Sequence, residues 1–148
     1  MRALIQRVSR ACVSWPEGEP QTIGPGLVVL LGVGQNDAPA AAKKLADKIA
    51  GLRIFSNADG KFDLSLLDTK GGALVVSQFT LYAGVKGGRR PEFTAAAAPA
   101  LADELYQKFC AELATLGVPV KTGKFAAHMQ VELVNDGPVT ISLDTETF

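Results

Sequence analysis

Two short segments hold the polar side chains best placed for chemistry: Ser77-Gln78-Phe79-Thr80-Leu81 and Asn135-Asp136-Gly137-Pro138-Val139-Thr140. The first offers two hydroxyls and an amide where a strongly apolar run opens into a Gly-rich loop, and functional groups collect at such junctions. A hydroxyl nucleophile normally needs an imidazole beside it. The chain has one histidine, His128, and no Ser sits in a Gly-x-Ser-x-Gly elbow. His128 reads as a surface or boundary residue. One His with two distant cysteines, Cys12 and Cys110, gives no metal-ligand spacing, so neither a metal nor another cofactor is expected. Gly32-Val33-Gly34 has two glycines of a dinucleotide-binding loop, but Asp37 stands where the third would fall, and a plain strand-to-helix turn is the simpler reading. Gly137-Pro138, taken alone, is a turn between two strand-like runs.

Composition narrows the function further. Of 148 residues, 47% are hydrophobic and 20% charged, which is the composition of a chain that buries a core. Fifteen basic residues balance fifteen acidic ones. That argues against broad, phosphate-driven nucleic-acid binding, while leaving room for a small local patch that grips one end of an RNA. Lys86, Arg89 and Arg90 form the one tight basic cluster, and by themselves they read as a solvated loop. The longest apolar run, Leu27 to Leu31, is too short to cross a bilayer, and the first residues hold no signal-peptide-like run. Two cysteines make no disulfide framework, so a reducing cytoplasm is the expected compartment.

The elements that must position these segments follow from periodicity. Arg2 to Ser14 alternates as a half-buried strand, with Arg7 on the face that Ala3, Ile5 and Val13 would bury; an Arg there needs partners. Pro16 to Pro20 is a turn, Gln21 to Ile23 a short return strand, and Gly26 to Val33 a strand covered on both faces. Asp37 is an N-cap candidate ahead of Pro39, and Ala41, Leu45, Ile49 and Leu52 give a helix from about Ala38 to Gly51. Arg53 to Phe55 is extended and Asn57 to Gly60 a turn. Ala73 to Leu81 reads as a strand whose alternation puts Gln78 and Thr80 on the solvated face. A second helix starts near Pro99, buries Leu101, Leu105, Phe109, Leu113 and Leu116, and stops at Gly117. Val118–Thr122, Met129–Val134 and Val139–Leu143 close the chain as strands. The expectation is one α/β domain over residues 1–148, with mixed sheets in two barrel-like layers and two helices packed on one side.

Taken together, the two segments resemble the signature of the D-aminoacyl-tRNA deacylases, homodimeric enzymes that cleave the ester between a D-amino acid and the 3′ end of tRNA. Further segments match in order: Ala3-Leu4-Ile5-Gln6-Arg7-Val8, Leu30-Leu31-Gly32-Val33, Arg53-Ile54-Phe55-Ser56, Gly60-Lys61, Arg90-Pro91 with Phe93, Thr122-Gly123-Lys124-Phe125-Ala126-Ala127 and Met129-Gln130-Val131. The Pro-rich stretch from Trp15 to Gln21 departs from the pattern, as does His128, where relatives commonly carry an acid.

The resemblance implies that Ser77, Gln78, Phe79 and Thr80 line the pocket for the aminoacyl-adenosine end, with Thr80 a candidate nucleophile. It implies that Gly137 and Pro138 of one subunit, joined by a cis bond, enter the other's pocket and exclude the side chain of an L-amino acid. Arg7 would support that loop, and Ala95, Phe125 and Met129 would shape the pocket, Met129 being equally readable as core. An aminoacyl ester is already activated, so placed water and backbone N–H donors near Phe79 and Thr80 could suffice, with help from the ribose 2′-hydroxyl. Glycyl-tRNA is a further possible substrate. The alternatives are a non-catalytic binder of aminoacyl-tRNA ends and a relaxed relative with a trans Gly-Pro bond. The geometry at Gly137-Pro138 would separate the chiral deacylase from the relaxed relative, and incubation with matched D- and L-aminoacyl-tRNA is the most informative experiment.

Overall fold

In the computed structural model, which describes residues 1–148, strand β1 (Arg2–Ser14) is the spine of the molecule. Along one edge it pairs antiparallel with β3 (Gly26–Gly32) through Arg2–Val8 and with β2 (Gln21–Ile23) through Ala11–Val13. Along the other edge it pairs antiparallel with β8 (Gln130–Asp144). Beyond β3 lie β6 (Gly72–Ser77) and β7 (Val120–Thr122), both parallel, so the chain must cross over between them. The six strands curl into a nearly closed barrel, and just past β7 the chain returns to β1, where Gly123 faces Met129 and Val13.

Helices α1 (Pro39–Gly51) and α3 (Pro99–Thr115) supply the crossovers and pack on each other and on one sheet face. Alternation sorts the strands between two cores. Leu27, Val29, Leu31, Ala73 and Val75 face the helices, while Val28, Leu74 and Val76 fill the inside of the curled sheet. Residues of both parities are therefore apolar, the pattern of a sheet buried on both faces. Leu105, Tyr106, Phe109 and Leu113 of α3 are fully or almost fully buried, each stabilising the fold by roughly 1.5–3 kcal/mol.

Several expectations need correction. Odd positions of β1 do not share one face: Ala3 and Ile5 join the helix-side core, but Ala11 and Val13 join the other. Arg7 and Val8 are consecutively buried, Ser9 and Arg10 consecutively exposed, because the β1–β8 register slips there. Asp37 is not a helix cap: Ala38 occupies that position without a side-chain bond. The strand expected to run to Leu81 stops at Ser77, and Phe79–Tyr82 forms a 3₁₀ turn. The last two expected strands are one, β8, continuing through Gly137-Pro138. The extended stretch ending at Phe55 and the Asn57–Gly60 turn are borne out as half of a small hairpin, β4 (Phe55–Ser56) with β5 (Phe62–Leu64); β5 and a one-turn helix α2 (Leu66–Thr69) were not foreseen. Ser65 and Asp68 hold α2 with a reciprocal capping box, a sequence signal too short to stand out.

Candidate active site

Ser77 closes the β6 ladder opposite Leu31, and Gln78 adds one bond, its N–H donating to Leu31 O at 2.7 Å. The backbone then leaves the sheet (Gln78 φ −141°, ψ 78°) and winds into the 3₁₀ turn. Gln78 and Thr80 are thus not alternating residues of a solvated strand face. The Gln78 side-chain amide donates to the Thr80 hydroxyl, fixing both at the mouth of the turn. Phe79 is 55% exposed and meets Phe93 edge-on at 4.9 Å between ring centres. The N–H groups of Phe79 and Thr80 open the turn, where no preceding carbonyl of the turn can accept them.

The turn is held from behind by residues that periodicity did not single out. Tyr82 donates to Asp37 Oδ2 at 3.3 Å, and Asp37 also accepts from Gly34 N–H at 2.6 Å and from the Met1 amine at 2.6 Å. Burial, reinforced by neighbouring Asp37, raises the Tyr82 phenol above its ordinary value, so it remains a neutral donor. Arg2 donates to Leu81 O at 3.1 Å and to Asp144 Oδ2 at 2.9 Å, with its guanidinium 4.4 Å from the Tyr82 ring centre. A Cβ on Gly34 would lie 2.8 Å from the Tyr82 oxygen, and one on Gly32 would lie 3.1 Å from Gln78 O. The Gly32-Val33-Gly34 pattern therefore serves close approach of this turn. Ala95, exposed, runs alongside, its carbonyl accepting from Gln35 N–H at 3.1 Å.

The second segment is a protrusion of β8. Between Gln6 and Val8, β1 advances two residues while β8 advances five, from Thr140 to Asn135, so Asp136–Val139 bulge outward. The Gly137-Pro138 bond is cis, and both residues are exposed. Three anchors fix the bulge. Val139 is buried in the helix-side core, and Asn135 Oδ1 accepts from Val139 N–H at 2.9 Å. Arg7, 8% exposed, donates to Asp136 O at 2.8 Å and to Ile54 O at 2.7 Å, with Asp136 Oδ2 at 3.4 Å. Gln6 and Asn135 both donate to Thr140 Oγ1, at 3.2 and 3.0 Å. Sequence reasoning found Arg7 by its odd burial but passed over Gln6 and the role of Asn135.

Phe125 lies against Tyr106, with 6.1 Å between ring centres, and Tyr106 donates to Val75 O of β6 at 2.9 Å. Met129 packs on the second core, its sulfur next to Gly123. Phe125 is thus one side chain removed from Val75 of β6, and Ala95 lies beside Gln35, while Ser77–Thr80 continue from the end of β6. Gly137 and Pro138 share none of these contacts: the bonds of their loop run to Arg7, to Gln6 and within the loop. Two hollows in the chain lie elsewhere, one of about 480 Å³ including Arg10, Cys12, Val131 and Val134, the other of about 270 Å³ including Trp15 and His128. His128 is exposed, as expected.

A curled six-stranded sheet with a 3₁₀ turn at the end of one strand and a braced Gly-Pro bulge on another is the frame of a known class of tRNA-editing hydrolases, to which the chain is similar along its length. The family model described as D-Tyr-tRNA(Tyr) deacylase matches residues 4–144. The D-aminoacyl-tRNA deacylase of Idiomarina loihiensis is 56% identical over 143 residues, spanning 97% of this chain and 99% of its own. That of a Roseiflexus species is 55% identical over 148 residues, spanning 100% and 96%. A solved structure described as a c-Myc DNA unwinding element binding protein is 40% identical, with a TM-score of 0.90 over 97% of this chain and 98% of its own. A probable eukaryotic D-amino acid tRNA deacylase, 18% identical, has the same fold, with a TM-score of 0.83 over 96% and 97%. The chain belongs to the D-Tyr-tRNA(Tyr) deacylase family.

Proposed function

We propose that this chain hydrolyses the ester joining a D-amino acid, or glycine, to the 3′ end of tRNA, working as a homodimer in the cytoplasm and rejecting L-aminoacyl-tRNA. One observation carries the reading. A chain matched along its length by enzymes named for this ester hydrolysis presents, at Phe79 and Thr80, main-chain N–H groups with no acceptor in the turn. The ester carbonyl takes up negative charge as water attacks, and fixed N–H donors stabilise that charge without reorganising. One such donor is worth roughly 10²–10³ in rate. Ser77 and the Gln78–Thr80 pair position water and the terminal ribose, whose 2′-hydroxyl assists the attack. Ala95 and Phe125 border the aminoacyl-adenosine end, and Met129 supports that wall from the core.

Chirality is selected by exclusion. Mirror-image substrates carry the same groups, so discrimination needs a penalty against one direction of the side chain. The Gly137-Pro138 bulge is exposed and too firmly braced by Arg7, Asn135 and Val139 to yield to a side chain. Its own chain gives it no contact with the Ser77–Thr80 turn, so it acts on the turn of a second subunit. Twofold pairing then builds two equivalent sites. The test is deacylation of matched D- and L-aminoacyl-tRNA, together with sedimentation of the active species. Much faster loss of the D-aminoacyl group from a dimer is expected. Equal rates on the two isomers, or full activity in a monomer, would overturn the proposal.

A further inference from the structure

The basic cluster set aside as a solvated loop sits on an arm rooted at the candidate site. Gly84 and Glu92 form an antiparallel bridge, with N–H···O distances of 2.8 and 2.9 Å, and close the stem of the 85–91 loop. The next residue, Phe93, packs on Phe79, so the stem is one ring contact from the turn proposed to receive the ester. Lys86, Arg89 and Arg90 project beyond the stem, all exposed and none in an ion pair. Glu92 at the root accepts from the Thr94 N–H at 3.0 Å and from its hydroxyl and forms no ion pair with the three cations. In a chain of zero formal charge the arm is thus a local concentration of free cations.

We infer that the 85–91 arm is a phosphate-binding element that grips the RNA backbone leading to the esterified 3′ end, with Lys86, Arg89 and Arg90 as its contacts. The inference rests on the deacylase reading and names the part of that site that holds the RNA. An arm of three or four residues reaches at most ~10–14 Å from its stem. That brings the cations to the phosphates preceding a terminal nucleoside seated at the Phe79 turn. Exposed Lys and Arg binding phosphates release counterions, which gives tRNA affinity without a broadly basic surface. The separation is chemical: the turn handles an uncharged ester, the arm a polyanion.

The test compares a triple variant, Lys86→Gln, Arg89→Gln and Arg90→Gln, with a charge-keeping control, Lys86→Arg, Arg89→Lys and Arg90→Lys. Binding of uncharged tRNA is followed by fluorescence anisotropy at two salt concentrations. Turnover is measured on D-aminoacyl-tRNA and on 3′-O-D-aminoacyl-adenosine, an ester without phosphates. With three phosphates engaged, raising salt from about 50 to 200 mM should weaken wild-type binding about 20- to 40-fold more than it weakens the neutral variant. The variant's kcat/KM on D-aminoacyl-tRNA should fall through KM, its turnover of the adenosine ester should stay at the wild-type level, and the control should restore tRNA affinity. Unchanged affinity and salt slope would overturn the arm's role. So would an equal loss on both esters, since the arm would then be shaping the turn and not holding RNA. Binding of uncharged tRNA needs no chemistry, so a wild-type protein that cleaves neither ester would refute the deacylase reading while leaving the arm's own test intact.

Discussion

Replacing Arg7 with Met keeps much of the side-chain stem and removes only the guanidinium. Two charge-assisted bonds go with it, to Asp136 O at 2.8 Å and Ile54 O at 2.7 Å. Bonds of this kind contribute about 1.5–3 kcal/mol each, a gross loss of about 3–6 kcal/mol. Two effects offset that. The variant no longer buries a cation that is 8% exposed, and Asp136, in an exposed bulge, can bond water instead. Ile54 cannot: at 4% exposure its carbonyl stays unpaired, which by itself costs about 1–3 kcal/mol. A net loss of roughly 2–4 kcal/mol is expected. Urea unfolding at fixed protomer concentration measures it, because subunit association would otherwise shift the midpoint. Arg7→Lys should recover only part, since an ammonium lacks the planar fork that reaches both carbonyls. Freed from its brace, the bulge should discriminate less, and the ratio of D- to L-aminoacyl-tRNA turnover should fall at least about tenfold, or 1.4 kcal/mol. A variant within about 0.5 kcal/mol of wild type and with unchanged selectivity would refute the tether.

Thr80→Ala should keep activity within about tenfold, because the main chain and not the hydroxyl is proposed to stabilise the developing charge; a drop of three orders of magnitude in single-turnover rate, with tRNA binding intact, would restore Thr80 as nucleophile. Gly137→Ala would set a Cβ 2.6 Å from Val139 N at φ +152°, so the bulge must distort, with a stability loss of about 1–3 kcal/mol and a fall in D/L selectivity; a fully selective, wild-type-stable variant would show that the bulge tolerates a side chain. The Arg2–Asp144 pair gives a pH signature. Burial by itself would raise the Asp144 carboxyl, but the Glu146 N–H and Arg2 outweigh it and hold the group below its usual range. Its stabilising contribution is therefore complete above the ordinary carboxylate value and lost as pH falls through the lowered one. Arg2→Met should melt below wild type near neutral pH, and the gap should narrow as pH falls through the lowered Asp144 value without closing, because the bond to Leu81 O and the contact with Tyr82 do not depend on that carboxylate; a gap that stays constant under acid would argue against the linkage.

Residue pattern revealed what depends on burial and periodicity, and little that depends on where a ladder stops. The helix stripes Leu45–Ile49 and Leu105–Phe109–Leu113 were legible because one face of each must be apolar, and all of these residues are fully buried. Gly26–Val33 was legible as a strand covered on both faces for the same reason. Arg7 stood out because a cation among Ala3, Ile5 and Val13 demands partners, although Val13 proved to face the other core. The slip that separates them arises from pairing with β8, more than a hundred residues away, which no local window contains. The end of β6 was misjudged because Phe79 and Leu81 suit a strand, and the ladder ends only where Leu31 O accepts the last N–H. Asp37 has the residue type of a cap, yet Gly34, Tyr82 and the Met1 amine claim its carboxylate.

Both candidate segments lie where this sheet loses its regularity. The central strands β3 and β6 are covered on both faces, so the positions inside their ladder are apolar and polar groups become available on β6 only where it turns out of the ladder. Strand β8 is largely exposed, and there the irregularity does something else: it pushes main chain away from the sheet. β6 turns out at Gln78 and leaves the Phe79 and Thr80 N–H groups at the start of a 3₁₀ turn, with no acceptor in the turn itself. β8 bulges at Asp136–Val139 and presents Gly137 and Pro138 to solvent. A one-residue Ser9 insertion on β1, seen in the step from Val8–Asn135 to Arg10–Val134, lets pairing resume beyond the bulge. The residues that brace these defects, Arg2 and Tyr82 behind the turn and Arg7 and Asn135 behind the bulge, hold the loosened backbone in single geometries. Discrimination by main chain requires that rigidity, since a bulge free to move would admit either isomer. Mutations at these four braces should therefore degrade selectivity and turnover before they unfold the barrel.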